Sequence, residues 1–312
     1  MIMYRDNKVG VVVPAYNEEK LVGRVIKTMP SFVDWIIVVD DASTDQTSRI
    51  AESSLDNRVT VIRHNINQGV GGAILTGHKK ALELGVDISA VMAGDAQMDP
   101  QYLPLLLNAL IDEDYDYAKG NRFLLRDSLK KMPKIRVLGN AMLTFFTKVA
   151  SGYWHIFDPQ NGYTAIKASV LENLEVDKIS RRYEFENDML VNLNMRNHRV
   201  KDVAIPASYG NEKSGIRLRS FIPRTSLILM QRFLKRIIEK YVLRNFHPIA
   251  LLLCSGMVTF LIGFLFGLYI IYLRLQTSII STGTVMLSVL PLIIGFQLLL
   301  AAFVLDIIET PK

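Results

Sequence analysis

The sequence predicts a mostly parallel α/β domain followed by an amphipathic helix and two membrane-spanning helices. Three observations predict it. Four short β-branched runs alternate with helical patterns, polar residues cluster just beyond each run, and two long uncharged stretches close the chain.

The four runs are Val9 to Pro14, Trp35 to Val39, Val59 to Ile62 and Ile88 to Met92. Continuous apolar runs of this length suit strands buried on both faces of a sheet. Helical patterns lie between them, at Glu18 to Met29, Thr44 to Ser53 and Gly71 to Leu84. Strand–helix alternation at this spacing predicts a Rossmann-like sheet with right-handed crossovers. Beyond Pro100, helices are expected at Tyr102 to Ile111, Val137 to Val149 and Phe185 to Met195. Strands are expected at Tyr117 to Gly120, Gly162 to Ile166 and Val200 to Ile205.

The spans follow from charge and length. Pro248 to Leu273 and Gln276 to Leu305 carry no formal charge. At ~1.5 Å per residue, the dense stretch Val285 to Leu305 alone reaches ~31 Å, the thickness of a bilayer's hydrocarbon core. Arg232, Lys235, Arg236, Lys240 and Arg244 precede the first span, whereas the loop between the spans carries only Arg274. The positive-inside rule then expects the N-terminal domain on the cytoplasmic face of the cell membrane. The polar start, Met1 to Lys8, reads as no targeting signal. The single cysteine, Cys254, falls inside the first span, so no intrachain disulfide can form. The expected divisions are a catalytic domain over 1–215, a juxtamembrane segment over 216–245 and an anchor over 246–308.

The net charge of +6 is uneven. On a helical wheel Leu227, Met230, Leu234, Ile237, Ile238 and Tyr241 share one arc, and Arg232, Lys235, Arg236 and Lys240 share the opposite one. Beside a span, such a helix is expected to lie on anionic headgroups; packing on the domain is the alternative. Nucleic acid is not an expected partner, because no aromatic interleaving or binding motif accompanies the charge.

The chemistry should gather where the strands end, since open parallel sheets bind ligands beyond their carboxyl edges. Gly69-Val70-Gly71-Gly72 fails the Gly-x-Gly-x-x-Gly spacing because the sixth position is Ile74, and no P-loop is present. Those absences count against nicotinamide enzymes and P-loop kinases. The glycines instead suggest close backbone approach at a helix N-terminus. Asp95 and Gln97 can point the same way and suit a hard divalent cation that also binds phosphate oxygens. The same residues also suit an Asx turn, as Asp40 and Asp41 suit a helix cap.

Together, Pro14-Ala15-Tyr16-Asn17-Glu18, Asp40-Asp41-Ala42-Ser43-Thr44-Asp45, Asn67-Gln68-Gly69, Asp95-Ala96-Gln97-Met98-Asp99-Pro100 and Gly120-Asn121-Arg122 resemble family-2 glycosyltransferases of the GT-A fold. The resemblance covers about residues 8 to 215 and is greatest to dolichyl- and polyprenyl-phosphate sugar synthases. It implies transfer of a hexose, with inversion, from a nucleotide sugar (GDP- or UDP-hexose) to a membrane polyprenyl phosphate, dolichyl or undecaprenyl, with Mg²⁺ or Mn²⁺. The implied roles are residue by residue. Pro14, Tyr16 and Glu18 line the nucleotide pocket, and Asp40 and Asp41 meet base and ribose. Ala93 and Gly94 belong to the same donor site. Asp95 and Gln97 hold the metal; Arg122, also of the donor site, stabilises the leaving diphosphate; Lys213 contacts donor or acceptor phosphate; and Asp95, Arg122 and Lys213 are the catalytic set. Two departures stand out. The family's metal motif is usually Asp-x-Asp, and Ala93 occupies its first position; the stretch Ala204 to Ser208 lacks an arginine that relatives often carry. Glu184, Glu186 and Asp188 lie where hydroxyl-acceptor enzymes often place a base, and Asp158 is a further acceptor-side candidate or a turn residue. The rival expectations are a glycolipid or polysaccharide acceptor, and an inactive membrane scaffold.

Overall fold

The computed structural model describes residues 3–124, 134–182, 184–206, 218–244, 246–276 and 280–311, with 134–140 and 218–226 described by their backbone. The chain forms two compact units that divide between Phe233 and Leu234.

The first unit is built on a seven-stranded sheet of order β3-β2-β1-β4-β6-β5-β7. The strands are β1 (Val9–Ala15), β2 (Trp35–Asp40), β3 (Val59–Arg63), β4 (Ile88–Val91), β5 (Tyr117–Asn121), β6 (Thr164–Lys167) and β7 (Val200–Ala204). β1 to β4 are mutually parallel, as the four-run pattern predicts. β6 enters antiparallel between β4 and β5, so the sheet is mixed. Every residue of β1 is buried. Its alternate side chains feed two cores. Val11 and Val13 join α1 (Val22–Thr28) and α4 (Leu103–Ile111) on one face. Val12 joins α3 (Val70–Glu83) and α7 (Phe185–Met195) on the other. This period-two division explains why the run shows no polar face. Gly77 lets α3 close onto the sheet, because a Cβ there would collide with the Val12 side chain.

Two further helices follow the expected order: α2 (Thr47–Glu52) after β2 and α5 (Lys134–Ser151) after β5. A short helix that the periodicity does not predict, α6 (Ala168–Asn173), follows β6. The helix α8 (Leu218–Arg236) contains the division between the units. Within the first unit its Arg232 pairs with the buried Asp188, Nε to Oδ1 at 3.0 Å.

The second unit holds α9 (Pro248–Gln276) and α10 (Thr282–Ile308), both long and apolar enough to cross a membrane. They pack through small residues. A Cβ on Gly263 would lie 2.7 Å from the Leu292 nitrogen, and one on Gly256 would lie 3.0 Å from the Leu299 nitrogen. Ser288 Oγ donates to the Gly263 carbonyl at 2.8 Å. Close backbone approach of this kind supplies the packing that lipid cannot.

One expectation is corrected here. Arg236 and Lys240 do not present a basic face outward: Arg236 is fully buried and Lys240 is 4% exposed. Arg236 donates twice to Asp306, at 2.6 and 2.9 Å, and Tyr241 Oη donates to the same carboxylate at 2.7 Å. Burial, then repulsion from Arg236, pushes the Lys240 amine down to about 8. The physical cause is a distant partner: the Asp306 carboxylate draws Arg236, in the last turn of α8, inward. Residues Ile237–Arg244 continue the helix as π turns with i→i+5 bonds. The exposed large apolar residues here include Leu227, Met230, Leu234 and Ile238, and Gln231 and Arg244 are exposed beside them. Replacing Arg236 by Met alone is expected to cost about 3–5 kcal/mol, because it leaves Asp306 buried without its partner. Arg236→Met with Asp306→Leu should recover most of that loss. Thermal unfolding of both variants in detergent checks the order.

Candidate active site

The carboxyl ends of the first four strands converge on a cavity of about 440 Å³. The segment after β1 supplies Pro14, Ala15, Tyr16 and Glu18, and β2 is followed by Asp41. Asn67, Gly69, Val70 and Ala73 come from the entry to α3, Ala93, Gly94 and Asp95 from the segment after β4, and Arg182 from before α7. Three of these turns pass through a left-handed residue, at Asn17 (φ 57°), Ala42 (φ 62°) and Ala96 (φ 55°). For alanine this conformation is strained, and such strain concentrates at functional sites.

The polar residues of the motifs lace these turns together. Ser43 Oγ accepts from Asn17 N at 2.9 Å, and Thr47 Oγ1 accepts from Glu18 N at 2.7 Å. Asn17 Oδ1 returns the link by accepting from Thr44 N at 2.9 Å. Asp41 organises the next turn. Its carboxylate accepts from Gln68 N and Gly69 N, both at 2.8 Å, and pairs with His64 Nδ1 at 2.7 Å.

Asp40 and Asp41 therefore part company. Asp41 reaches the cavity wall, but Asp40 is fully buried behind it. Asp40 accepts from Ser43 N at 2.9 Å and from Ser48 Oγ, and Arg63 Nε lies 3.5 Å away. It braces the turn into α2 and does not line this cavity.

Asp95 lies on the wall, but Gln97 does not join it there. The Gln97 backbone N–H donates to Asp95 Oδ1 at 3.0 Å, an Asx turn, and the Gln97 residue borders a neighbouring cavity of about 550 Å³ with Arg24, Phe32 and Met98. Among the described residues no cluster of three His, Cys, Asp or Glu side chains could hold a metal by itself. Gly94 is required by close approach: its N–H donates to the Pro14 carbonyl at 3.0 Å, and a Cβ would lie 3.1 Å from that of Ala15.

Arg122 stands apart from this cavity, on a small hollow with Asp158 and Gln160. Its Nε and Nη2 donate to the two oxygens of Asp158 at 2.8 and 3.0 Å, and its backbone N–H donates to the same carboxylate. Asp158 is thus the residue that fixes the Arg122 guanidinium. Burial pushes the Asp158 carboxyl up, but hydrogen bonds and charge from Arg122 outweigh it and hold it below the usual range. Lys119, fully buried, donates to the Asp158 carbonyl. Desolvation lowers the Lys119 amine, against the pull of Asp202 and Asp158. Lys213 lies outside the described residues.

Glu186, half-buried in the first turn of α7, has its carboxyl raised by burial to about 7. Its proton is held in the folded state and released in the unfolded state between the ordinary value of 4.5 and about 7. Stability from this group is therefore full below pH 4.5 and lost as pH rises through 7. Glu186→Gln should raise the melting temperature by ~2–4 °C at pH 8, for a gain of ~1 kcal/mol, and by little at pH 5. Paired thermal melts at the two pH values check this.

Arg182 is the lining residue that motif reading misses. The signal for it is the glycine run. A Cβ on Gly69 would lie 2.9 Å from Arg182 Cγ, and one on Gly71 would lie 2.7 Å from Phe185 Cβ. The glycines admit the backbone of 180–182, which Gly72 N secures by donating to the Arg181 carbonyl at 2.8 Å.

Comparison with known proteins agrees with this geometry. The profile of glycosyl transferase family 2 matches residues 10–175. The chain is 32% identical over 219 residues to a UDP-N-acetylglucosamine–dolichyl-phosphate N-acetylglucosaminyltransferase of Methanococcus voltae, covering 65% of this chain and 87% of the relative. It is 30% identical to an undecaprenyl-phosphate mannosyltransferase of Micrococcus luteus, covering 64% and 82%. It is 29% identical to a dolichol-phosphate mannosyltransferase of Pyrococcus furiosus, covering 67% of this chain and 58% of that one. Among solved structures, glucosyl-3-phosphoglycerate synthase of Mycobacterium tuberculosis, bound to Mn²⁺ and UDP, shares the fold with a TM-score of 0.56 at 19% identity, covering 74% of this chain and 80% of the other. By sequence and by fold, the chain belongs to glycosyl transferase family 2 and is a glycosyltransferase of the GT-A fold.

Proposed function

We propose that the protein transfers a hexose from a GDP- or UDP-sugar to a membrane polyprenyl phosphate, with inversion at the anomeric carbon. One pairing carries the reading: a strand-end cavity bearing Asp95 stands in the same chain as two helices long enough to cross a membrane. The three relatives named above, whose names specify dolichyl or undecaprenyl phosphate, support the acceptor class.

In this reading Pro14, Tyr16, Glu18 and Asp41 form the wall that receives the nucleotide, and Ala93 and Gly94 leave room beside it. Asp95 would hold a Mg²⁺ or Mn²⁺ together with diphosphate oxygens and water. One carboxylate fits such a cation, since Mg²⁺ keeps several waters and needs only one or two carboxylates. Gln97 contributes its backbone N–H, which orients Asp95. When bound, the cation would neutralise the leaving diphosphate. Arg122, oriented by Asp158, and Lys213 serve the phosphates of the acceptor side. A phosphate oxygen of the lipid attacks the anomeric carbon as the bond to the nucleoside diphosphate breaks. No general base is required, because a phosphate monoester with a second pKa of ~6 is already anionic at neutral pH. The first unit and its α8 serve catalysis, and α9 and α10 hold the chain in the membrane with the first unit on the cytoplasmic face.

A second reading draws on Glu186. A carboxyl raised to about 7 suits a general base for a hydroxyl acceptor such as a glycolipid. Glu186 does not line the cavity, which favours the phosphate acceptor. Labelled nucleotide sugars incubated with membranes holding the protein separate the two. A chloroform-soluble product cleaved by mild acid supports polyprenyl phosphate; an acid-stable glycolipid or polymer supports the hydroxyl acceptor; no product from any donor sinks both.

A further inference from the structure

We propose that Arg182 is the chain's own cation for the donor diphosphate, a binding residue that acts whether or not a metal is present. This rests on the nucleotide-sugar reading above and deepens it.

Among the described residues the cavity wall carries three carboxylates, from Glu18, Asp41 and Asp95, and one cationic side chain, Arg182. A diphosphate entering such a wall meets like charge on several sides, and a fixed positive group is needed to offset it. The other nearby arginines are engaged elsewhere. Arg122 is fixed by Asp158 on a separate hollow, and Arg181 donates to Gln68 Oε1 at 2.9 Å. Among the described residues the Arg182 side chain has no hydrogen-bond or ion-pair partner, although carboxylates share its cavity.

The position of Arg182 is built into the fold. Gly69, at φ 89°, gives space to its Cα and Cγ, which would lie 3.3 and 2.9 Å from a Cβ at that site. Gly72 N–H holds the preceding carbonyl, and Ser180 N–H donates to the buried Asp188 at 2.8 Å. The backbone is therefore clamped between α3 and α7, while the side chain extends to the cavity. Gly69 and Val70, at the N-terminus of the 14-residue α3, line the same wall. The positive end of that helix dipole adds to the guanidinium at the same place. A planar fork of N–H donors matches phosphate oxygens in pairs, as a lysine cannot.

Calorimetric titration of the full-length protein in detergent, with EDTA present, tests this. UDP and GDP are compared with uridine and guanosine, on the wild type, Arg182→Gln and Arg182→Lys. The wild type should bind one of the two diphosphates, and Arg182→Gln should bind it about 10- to 100-fold more weakly. The matching nucleoside should bind both proteins equally, and Arg182→Lys should fall between them. Equal diphosphate affinity in wild type and Arg182→Gln would overturn the proposal and leave Arg182 a solvated side chain. A parallel loss of nucleoside affinity would also overturn it, by showing that the wall had changed shape. If neither diphosphate bound the wild type with or without Mg²⁺, the nucleotide-sugar reading itself would fail first.

Discussion

Asp95→Ala is expected to lower sugar transfer by about 10²-fold or more while leaving the protein folded. Asp95 is the one carboxylate that the segment after β4 brings to the cavity wall, since Ala93 and Gly94 precede it and Gln97 faces elsewhere. Its loss removes the ligand proposed to hold a cation on the departing diphosphate. The carboxylate also accepts from Gln97 N, so Ala loosens an Asx turn as well as removing charge. Asp95→Asn separates the two contributions, because an amide oxygen can still accept that hydrogen bond. Rates at saturating donor should fall similarly in both variants, with melting temperatures close to the wild type. A folded Asp95→Asn protein with near-normal turnover would remove Asp95 from the chemistry.

The second large effect concerns Arg122 and Asp158. Asp158→Ala removes both anchors of the guanidinium and leaves the buried Lys119 with one fewer carboxylate to offset its charge, Asp202 remaining. Removing one partner of a buried pair costs about 3–5 kcal/mol, and the half-exposed Arg122 places this case at the lower end. A displaced guanidinium should also lower kcat by about 10- to 100-fold if it serves the reacting phosphates. Asp158→Asn keeps the shape but loses the charge, so it should retain most of the stability and only part of the rate. Arg122→Lys keeps a charge without the two-point contact and should resemble Asp158→Asn in rate. Unchanged kcat in Asp158→Ala would confine the pair to a structural role.

The half of the sheet that forms the 440 Å³ cavity was legible because each strand is a β-branched run, and each turn carries residues with a specific hydrogen-bonding task. Asn17, Ser43 and Thr47 illustrate this: the motif residues bond across turns that are distant in sequence. The division between Asp40 and Asp41 was not legible. Adjacent side chains at a strand end point to opposite sides, and only the three-dimensional path of β2 decides which one faces the cavity. The antiparallel entry of β6 was equally hidden, because a four-residue strand carries no signal of direction. Arg182 escaped motif reading because its position depends on contact with Gly69, more than a hundred residues earlier. Arg236 and Lys240 were misplaced because a wheel sorts residues into arcs without saying which arc faces inward, and Arg236 turns in to meet Asp306, 70 residues later.

That correction also changes how the helix before the spans is expected to meet the bilayer. Its exposed residues are mostly apolar, with Leu243 extending the set beyond Ile238, and Gln231 and Arg244 beside them. Contact with lipid is then set by buried apolar area more than by charge attraction.

The proposed acceptor is a lipid phosphate. This is tested most directly by giving purified full-length protein a labelled nucleotide sugar and vesicles containing either a long polyprenyl phosphate or the same polyprenol without phosphate. A mild-acid-labile lipid product is expected from the phosphate alone, with Asp95→Asn giving almost none. Transfer to the polyprenol at a comparable rate, or to neither lipid while a hydroxyl-bearing glycolipid is glycosylated, would contradict it.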